Sequence, residues 1–580
     1  MVTPGDQKVS GSIRSQGDDT MPDQQPPNDP WGAGPAGPGP GGPGARDPQR
    51  QAPGDQGLFG GQNPQAGGQP SGGPEHLDPG ATVTTPSAPT GGRTALIAGG
   101  AAAAVLLVGG GVYAYSLTGD DSTAGPDCLI PASAALYLQV DTNPSASQKV
   151  DAFKIARKFP SLKAPTDHED LRRWLVEAAS GQDSTAEAEW KKIEEWIGDR
   201  AAIAIMPGGS DSATAVPLAV LQADDAGAAE AYWKKEAAKQ KETEGTDLDY
   251  LVSDGWVYVQ PEASETKVRT LVEEAKKSSL LDSRTYRDDL ENLGEKGIFT
   301  GWLDIAKLAP LLGSLGDGST AGYGNTEQLQ QLVDQGIAGH GAYALRFDGD
   351  AVELVSKMRD VKPSTSLGGS VDVAKLPADT LAAVGVAGAG KTVATIWQQA
   401  LLGQAGGQDP TQMLDQFKQM YGLSLPDDLE ALMGTSFTLA VGASGNVASP
   451  EIGARVLTDA SDVAGPLAAI SNLTARSGVT LQHTTIDGGY TVATTSGYAK
   501  KLGTAGDLGS SDRFKKAVPD AEGAGIVAYV DVPGFLEKYG DALAEGAPLP
   551  EELSKFDAIG LSSTAKDNGE SSFSLRLTTR

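Results

Sequence analysis

The chain repeats itself, and the repeat limits its folds more than any single motif does. Leu129-Ile130-Pro131-Ala132 opens a strand-like run at 135–140, and Leu376-Pro377-Ala378 opens another at 381–386, offset by 246 residues. A helical pattern follows each, over 148–159 and 392–402. Trp196-Ile197-Gly198 then precedes an apolar run at 201–206, and Leu432-Met433-Gly434 precedes one at 437–441, at offset 236. A run ending in Asp224 leads to a helical segment with Tyr232 and Trp233; one ending in Asp459 leads to a segment through Leu467 and Leu473, at offset 235. Both aspartates stand where a helix needs an N-cap. Asp254-Gly255 and Asp487-Gly488, at offset 233, are hairpin signals before the apolar runs 256–259 and 490–493. Runs 298–304 and 526–531 each lead to a short helix, and each half closes on a hairpin, 343–347 with 352–358 and 559–564 with 572–577.

Helices mixed with hairpin-linked strands predict an α+β fold. We expect two internally duplicated halves with mainly antiparallel sheets, at 129–361 and 376–580, each of ordinary domain size. The linker is 362–375, with Pro363, Gly368 and Gly369. One continuous sheet shared by both halves is the other arrangement this pattern allows.

The N-terminal region differs in kind. Residues 1–93 hold 17 Pro and 21 Gly, above the roughly 25–30% Pro plus Gly of low-complexity chain. With few large apolar residues to repay ordering entropy, they read as a disordered tail. Residues 94–118, TALIAGGAAAAVLLVGGGVYAYSLT, fall in a stretch without charge between Arg93 and Asp120. A helix of about 23 residues extends roughly 34 Å, enough to span the hydrocarbon core. The segment lies too far along the chain for a cleaved signal peptide, so it reads as an uncleaved transmembrane helix, followed by a linker at 119–128. Arg93 precedes it and no Lys or Arg follows until Lys149. The positive-inside rule then puts the tail in the cytoplasm and 119–580 outside a cell membrane crossed once. Small residues at Gly99 and Ala103, and at Gly100 and Ala104, have helix-pairing spacing, which an Ala/Gly-rich segment also shows by chance.

Pro131-Ala132, Tyr137, Val140-Asp141, Pro144, Gln148-Lys149 and Phe159-Pro160 resemble the opening of a domain-of-unknown-function family. That family occurs in membrane-anchored proteins of actinobacteria and some other bacteria. The resemblance implies a tail, one membrane helix and a cell-envelope setting. It implies no activity, cofactor or catalytic residue.

Residues 118–580 carry 41 basic and 66 acidic side chains. Such a surface repels phosphate backbones, so no nucleic-acid partner is expected. The single cysteine, Cys128, excludes an intrachain disulfide and leaves a homodimer cross-link or a free thiol.

The sharpest chemical motif is Gly385-x-x-x-x-Gly390-Lys391-Thr392, which fits a phosphate-binding loop, with 526–531 as a strand ending in a metal-binding Asp. Against it, the matching first-half loop, Asp141-Thr142-Asn143-Pro144-Ser145, lacks the glycines and the lysine, and antiparallel hairpins do not suit the parallel core of such proteins. His76, His168, His340 and His483 have no metal-ligand spacing, and no metal or cofactor is expected. Ser264-x-x-Lys267 and Ser444-Gly445-Asn446 lack the third element of a penicillin-recognising set. Trp174, Trp190, Trp196 and Trp233 read first as helix packing, and second as an apolar groove. The expected function is a non-enzymatic binding or scaffolding ectodomain for an envelope protein, polymer or lipid; the alternative is a nucleotide-dependent protein using the Gly385–Thr392 segment.

Overall fold

The computed structural model describes residues 125–580 apart from 160–171, 174–185, 209–213, 246, 262–265, 315–337, 362–368, 405–409, 459–462 and 545–548. The expected tail, the run 94–118, most of the linker 119–128 and Asp459 lie outside the described residues. Among the described residues no helix is long and apolar enough to cross a membrane.

The first half contains β1 (Leu136–Asp141), α1 (Ala146–Ala156), α2 (Ala186–Ile193), β2 (Ile197–Pro207), β3 (Ala215–Ala223) and α3 (Ala226–Glu244). It continues with β4 (Leu248–Ser253), β5 (Trp256–Pro261), α4 (Val268–Lys277), α5 (Arg284–Leu293), β6 (Phe299–Asp304), α6 (Ile305–Leu308), β7 (His340–Asp348) and β8 (Ala351–Arg359). The second half contains β9 (Thr380–Ala387), α7 (Ala389–Gln404), α8 (Pro410–Tyr421), α9 (Asp427–Met433), β10 (Ser436–Gly442), β11 (Ile452–Leu457) and α10 (Ala464–Arg476). After these come β12 (Gln482–Ile486), β13 (Gly489–Ala493), α11 (Ser496–Gly503), α12 (Asp512–Ala517), β14 (Ile526–Asp531), α13 (Val532–Leu543), β15 (Phe556–Ala565) and β16 (Ser571–Thr579).

The expectation of two sheets behind a membrane-crossing helix is corrected here. The strands form one antiparallel sheet of sixteen, in the order β12-β13-β11-β10-β9-β14-β15-β16-β8-β7-β6-β1-β2-β3-β5-β4. The physical reason lies in how each half ends. β8 and β16 are each the last strand of a closing hairpin, so each would present an unpaired row of N–H and C=O groups. Pairing the two edges with each other satisfies both rows, from Thr578 opposite Ala351 to Ser571 opposite Met358.

Each half contributes eight strands in the same order, and the register repeats as well. Leu136 faces Ile205, and their counterparts Ala382 and Val441 face each other. Ala219 faces Val259, and Ala454 faces Val492. Gly341 faces Met358, and Ile559 faces Leu577. The cores repeat too. Tyr286 meets Trp302 edge-on at 5.8 Å between ring centres, and Phe514 meets Tyr529 at 5.1 Å. Both pairs are buried on one face of the sheet, under α4 and α5 in the first half and α11 and α12 in the second.

The hairpin turn at Asp254-Gly255 has both residues at positive φ, 55° and 78°, as a tight two-residue turn requires. The α3 cap is Asp225, not Asp224; its carboxylate accepts the Gly227 and Ala228 amides at 2.8 and 2.9 Å. Asp224 still donates its N–H to the Trp196 carbonyl at 2.8 Å, so the chain leaves the sheet one residue later.

The opposite face is covered unevenly. In the first half, Ala152 and Ile155 of α1, with Phe159 just after it, pack on Phe299 and Phe347. The Gln148 side chain fixes α1 by donating to the Phe347 carbonyl (2.7 Å) and accepting the Phe347 N–H (2.8 Å). Farther out, Trp233 on α3 packs with Trp196 over Val257 and Val259. The second half departs from this pattern. α7 starts directly after β9 and lies on α9, where the Gly390 N–H reaches the Gly434 carbonyl at 2.8 Å. Trp397, Phe417, Leu432 and Leu467 from α7 to α10 then cover the outer strands β10, β11 and β13. No helix corresponding to α1 lies over the central strands among the described residues.

Candidate functional site

The phosphate-loop motif does not form a loop. Gly385 sits inside β9, antiparallel to β10 and β14, and a Cβ there would fall 2.7 Å from Val373 Cγ2. The Gly388 and Gly390 amides donate to the Thr435 and Gly434 carbonyls, at 2.7 and 2.8 Å, so neither points at a ligand position. A Cβ on Gly390 would lie 2.3 Å from the Glu430 carbonyl oxygen. That glycine permits helix-to-helix contact. Thr392 donates its hydroxyl to Gly388 O at 3.0 Å, and Lys391 is exposed. Asp531 caps α13 through the Gly534 amide at 3.0 Å and pairs with Arg513 at 2.7 Å. The motif's residues thus serve strand, packing and cap.

Of the remaining sequence candidates, Trp190, Trp196 and Trp233 are buried. His483 is exposed on the edge strand β12. Trp174, Ser264, His76 and His168 lie outside the described residues. Cys128 is half-buried, and burial followed by the Asp127 charge pushes its thiol pKa up.

The duplication itself separates structural from special residues. Where one half buries a charge and the other builds the same place from apolar side chains, the fold does not require the charge. Asp289, 1% exposed, accepts from Trp302 Nε1 (2.8 Å), His340 Nδ1 (2.6 Å) and Arg359 Nη2 (2.6 Å). His340 Nε2 lies 3.1 Å from Asp360, whose backbone has φ 55°. The second half has Ala517, Ala558 and Thr578 at the places of Asp289, His340 and Arg359, all buried. This cluster borders a shallow cleft of about 340 Å³ with Arg284, Thr285 and Asp288. The second half has its own substitution. Gly442, Glu451 and Tyr498 replace Met206, Val216 and Leu271 of the first-half core. Glu451 Oε2 and the Tyr498 hydroxyl are buried without a hydrogen-bond partner. Burial, then the Glu451 charge, raises the Tyr498 pKa.

The most extensive departure from ordinary sheet construction lies where the halves meet. On β16, Ser574, Arg576 and Thr578 are 5, 8 and 2% exposed, whereas Phe573, Leu575 and Leu577 are only half-buried. β15 follows suit: Ala558 and Ser562 are buried while Ile559 is exposed. On β8, Glu353 and Val355 are buried and Leu354 is 39% exposed. An ordinary one-sided sheet turns its apolar residues inward, so β16 is inside out, while β8 and β15 carry aliphatic residues on the open face as well as the packed one. Most of the inward polar groups are satisfied locally: Glu353 accepts from Arg346 Nε (2.7 Å), Ser574 Oγ (2.9 Å) and Arg576 Nη1 (3.3 Å), and Arg576 Nη2 reaches Asp348 (2.7 Å), while Arg576 Nε is buried without a partner.

The outward aliphatics line up in register. Leu439, Val384, Ala528, Leu561, Leu575 and Leu354 are successive cross-strand partners over six strands. The next row includes Val530, Ile559 and Leu577 and ends at Val352, which packs against the Phe347 cluster. At the end of these strands lies a cleft of about 400 Å³ made by both halves, lined by Arg157, Lys158, Glu551, Glu552, Lys555 and Arg580. Phe159 and Phe556 pack at 5.0 Å between ring centres beside it, and Lys158 bridges Asp350 (3.0 Å) and Thr579 (2.9 Å).

Sequence reasoning missed this surface. The alternation of Phe573-Ser574-Leu575-Arg576-Leu577-Thr578 was the available signal, and on its own it points the wrong face inward. No family model, no curated protein and no solved structure matches this chain.

Proposed function

We propose that the chain is a non-enzymatic binding or scaffolding protein of the cell envelope, and that the open aliphatic face shared by its two halves is its contact surface. The inverted alternation of β16, and the outward aliphatics of β8 and β15 beside it, carry the proposal. Contiguous aliphatic surface held outward costs solvation free energy on the order of 25 cal/mol per Å², and such patches mark interaction sites. The apolar, charge-free run at 94–118 supports an envelope location, as does the family resemblance of the segment opening at Pro131.

The test is a photo-crosslinking amino acid placed at Leu354 of the full chain and irradiated in cells, with the same residue at exposed Lys277 as control. An adduct specific to position 354 supports a binding face. No adduct above that of position 277 overturns it.

A further inference from the structure

The open face rests on strands whose backbone is already fully engaged. β8, β15 and β16 each have a hydrogen-bonded neighbour on both sides. A peptide lying on this face finds no free edge to pair with, so it would set its own N–H and C=O groups against leucine and isoleucine at a desolvation penalty. An occupant without backbone polar groups carries no such penalty. The rows Leu577–Ile559 and Leu354–Leu575–Leu561 lie one behind the other, about 7 Å apart at two residues per step. They lead away from the cleft at the strand ends, because Lys555 precedes β15 and Arg580 follows β16.

That cleft runs against the charge of the molecule. The chain has a net charge of −29, yet the cleft has four basic side chains against two acidic ones. Lys158 is partly neutralised by Asp350, and the Arg157 guanidinium lies 4.9 Å above the Phe153 ring.

We propose that the face takes a single-chain amphiphile with an anionic head group, its chain laid over Ile559, Leu575 and Leu354 and its head in the cleft of Arg157, Lys158, Lys555 and Arg580. This assignment rests on the binding-face reading above and names its occupant. The aliphatic rows supply the site for a hydrocarbon chain, and the basic cleft selects a carboxylate or phosphate head over a neutral one.

The probe is a photoreactive, alkyne-tagged dodecanoate added to membranes that contain the full chain, followed by digestion and mapping of labelled peptides. Labelling is expected on peptides of β8, β15 or β16. Unlabelled dodecanoate should compete for it, whereas acetate, which lacks the chain, and dodecanol, which lacks the charge, should not compete at the same concentration. Lys555→Glu and Leu354→Asp should each reduce labelling about fivefold, through lost charge attraction and lost apolar contact respectively. Circular dichroism melting checks that each variant is folded, and the surface substitution Lys555→Glu decides the matter if Leu354→Asp is not. Labelling confined to other peptides overturns the assignment, as does equal competition by dodecanol or labelling unchanged in a folded variant. A specific adduct at position 354 without dodecanoate labelling removes only the amphiphile. No adduct at all removes the binding face with it.

Discussion

Val355 on β8 and Ser574 on β16 face each other across the middle of the sheet, and each is the other's counterpart in the repeat. Strands that pair through equivalent residues are related by a local two-fold, the geometry of an isologous interface, here within one chain. The joint is polar on the packed side and aliphatic on the open side. Both properties can be tested separately.

Glu353 is the keystone of the polar side. It is 3% exposed and receives donors from Arg346, Arg576 and Ser574. Glu353→Ala removes the acceptor that Arg346 and buried Arg576 share, leaving Arg576 only Asp348 and Arg346 only the Glu295 carbonyl, and should lower stability by about 3 kcal/mol. Urea unfolding followed by circular dichroism measures this. A loss within error of zero would mean the network adds nothing to the joint.

Acid should loosen the clamp of α1 on the β7–β8 turn. Burial raises the Asp350 pKa, but hydrogen bonds and charge from Lys154 and Lys158 outweigh it, and the net shift is downward. A depressed carboxylate contributes stability that is present above its unfolded pKa and is lost as pH falls through the folded one. The wild-type protein should therefore lose stability through the acid range more steeply than Asp350→Asn. Denaturation midpoints taken at a series of pH values give the comparison; parallel curves would count against it.

Alkali provides a second titration. Burial raises the Tyr490 pKa to about 12, and its hydroxyl donates to the Leu432 carbonyl at 2.5 Å. A raised phenol contributes stability that is complete below its unfolded pKa, about 10, and lost as pH climbs through about 12. Tyr490→Phe should cost about 1 kcal/mol at neutral pH and remove one late-titrating phenol from the ultraviolet phenolate signal. Amplitude lost instead from the phase at about pH 10 would show that Tyr490 ionises with the exposed tyrosines.

The Gly385–Thr392 segment makes opposite predictions for two neighbours. Gly390→Ala drives a methyl into the Glu430 carbonyl and should destabilise by about 1–3 kcal/mol. Lys391→Ala, at an exposed position, should stay within about 0.5 kcal/mol of the parent. Thermal melts of both variants decide between a packing role and a loop whose lysine matters. Equal effects would contradict the packing role.

Much of the repeat is legible in the sequence. The offsets 246, 236, 235 and 233 reappear as equivalences between paired strands, because turn residues and apolar runs mark element boundaries locally. How the halves join was not legible, since edge pairing is decided by where two distant hairpins end. The candidate face was hidden for a related reason. Alternation in β16 shows that two faces differ in polarity, not which one the helices will cover. Here Glu353, far away in sequence, draws Ser574 and Arg576 inward, and α7 turns toward α9 instead of covering the leucines. The Asp289–His340–Arg359 cluster likewise joins residues from α5, β7 and β8 that no spacing rule connects.

Carbene footprinting of the full chain, once in intact cell envelopes and once after purification, tests the central claim most directly. A working contact surface predicts that Leu354, Ile559 and Leu575 are shielded in the envelope and modified after purification, while exposed residues such as Val150 and Met420 react alike in both. Equal modification of the three aliphatics in the two states would contradict the account.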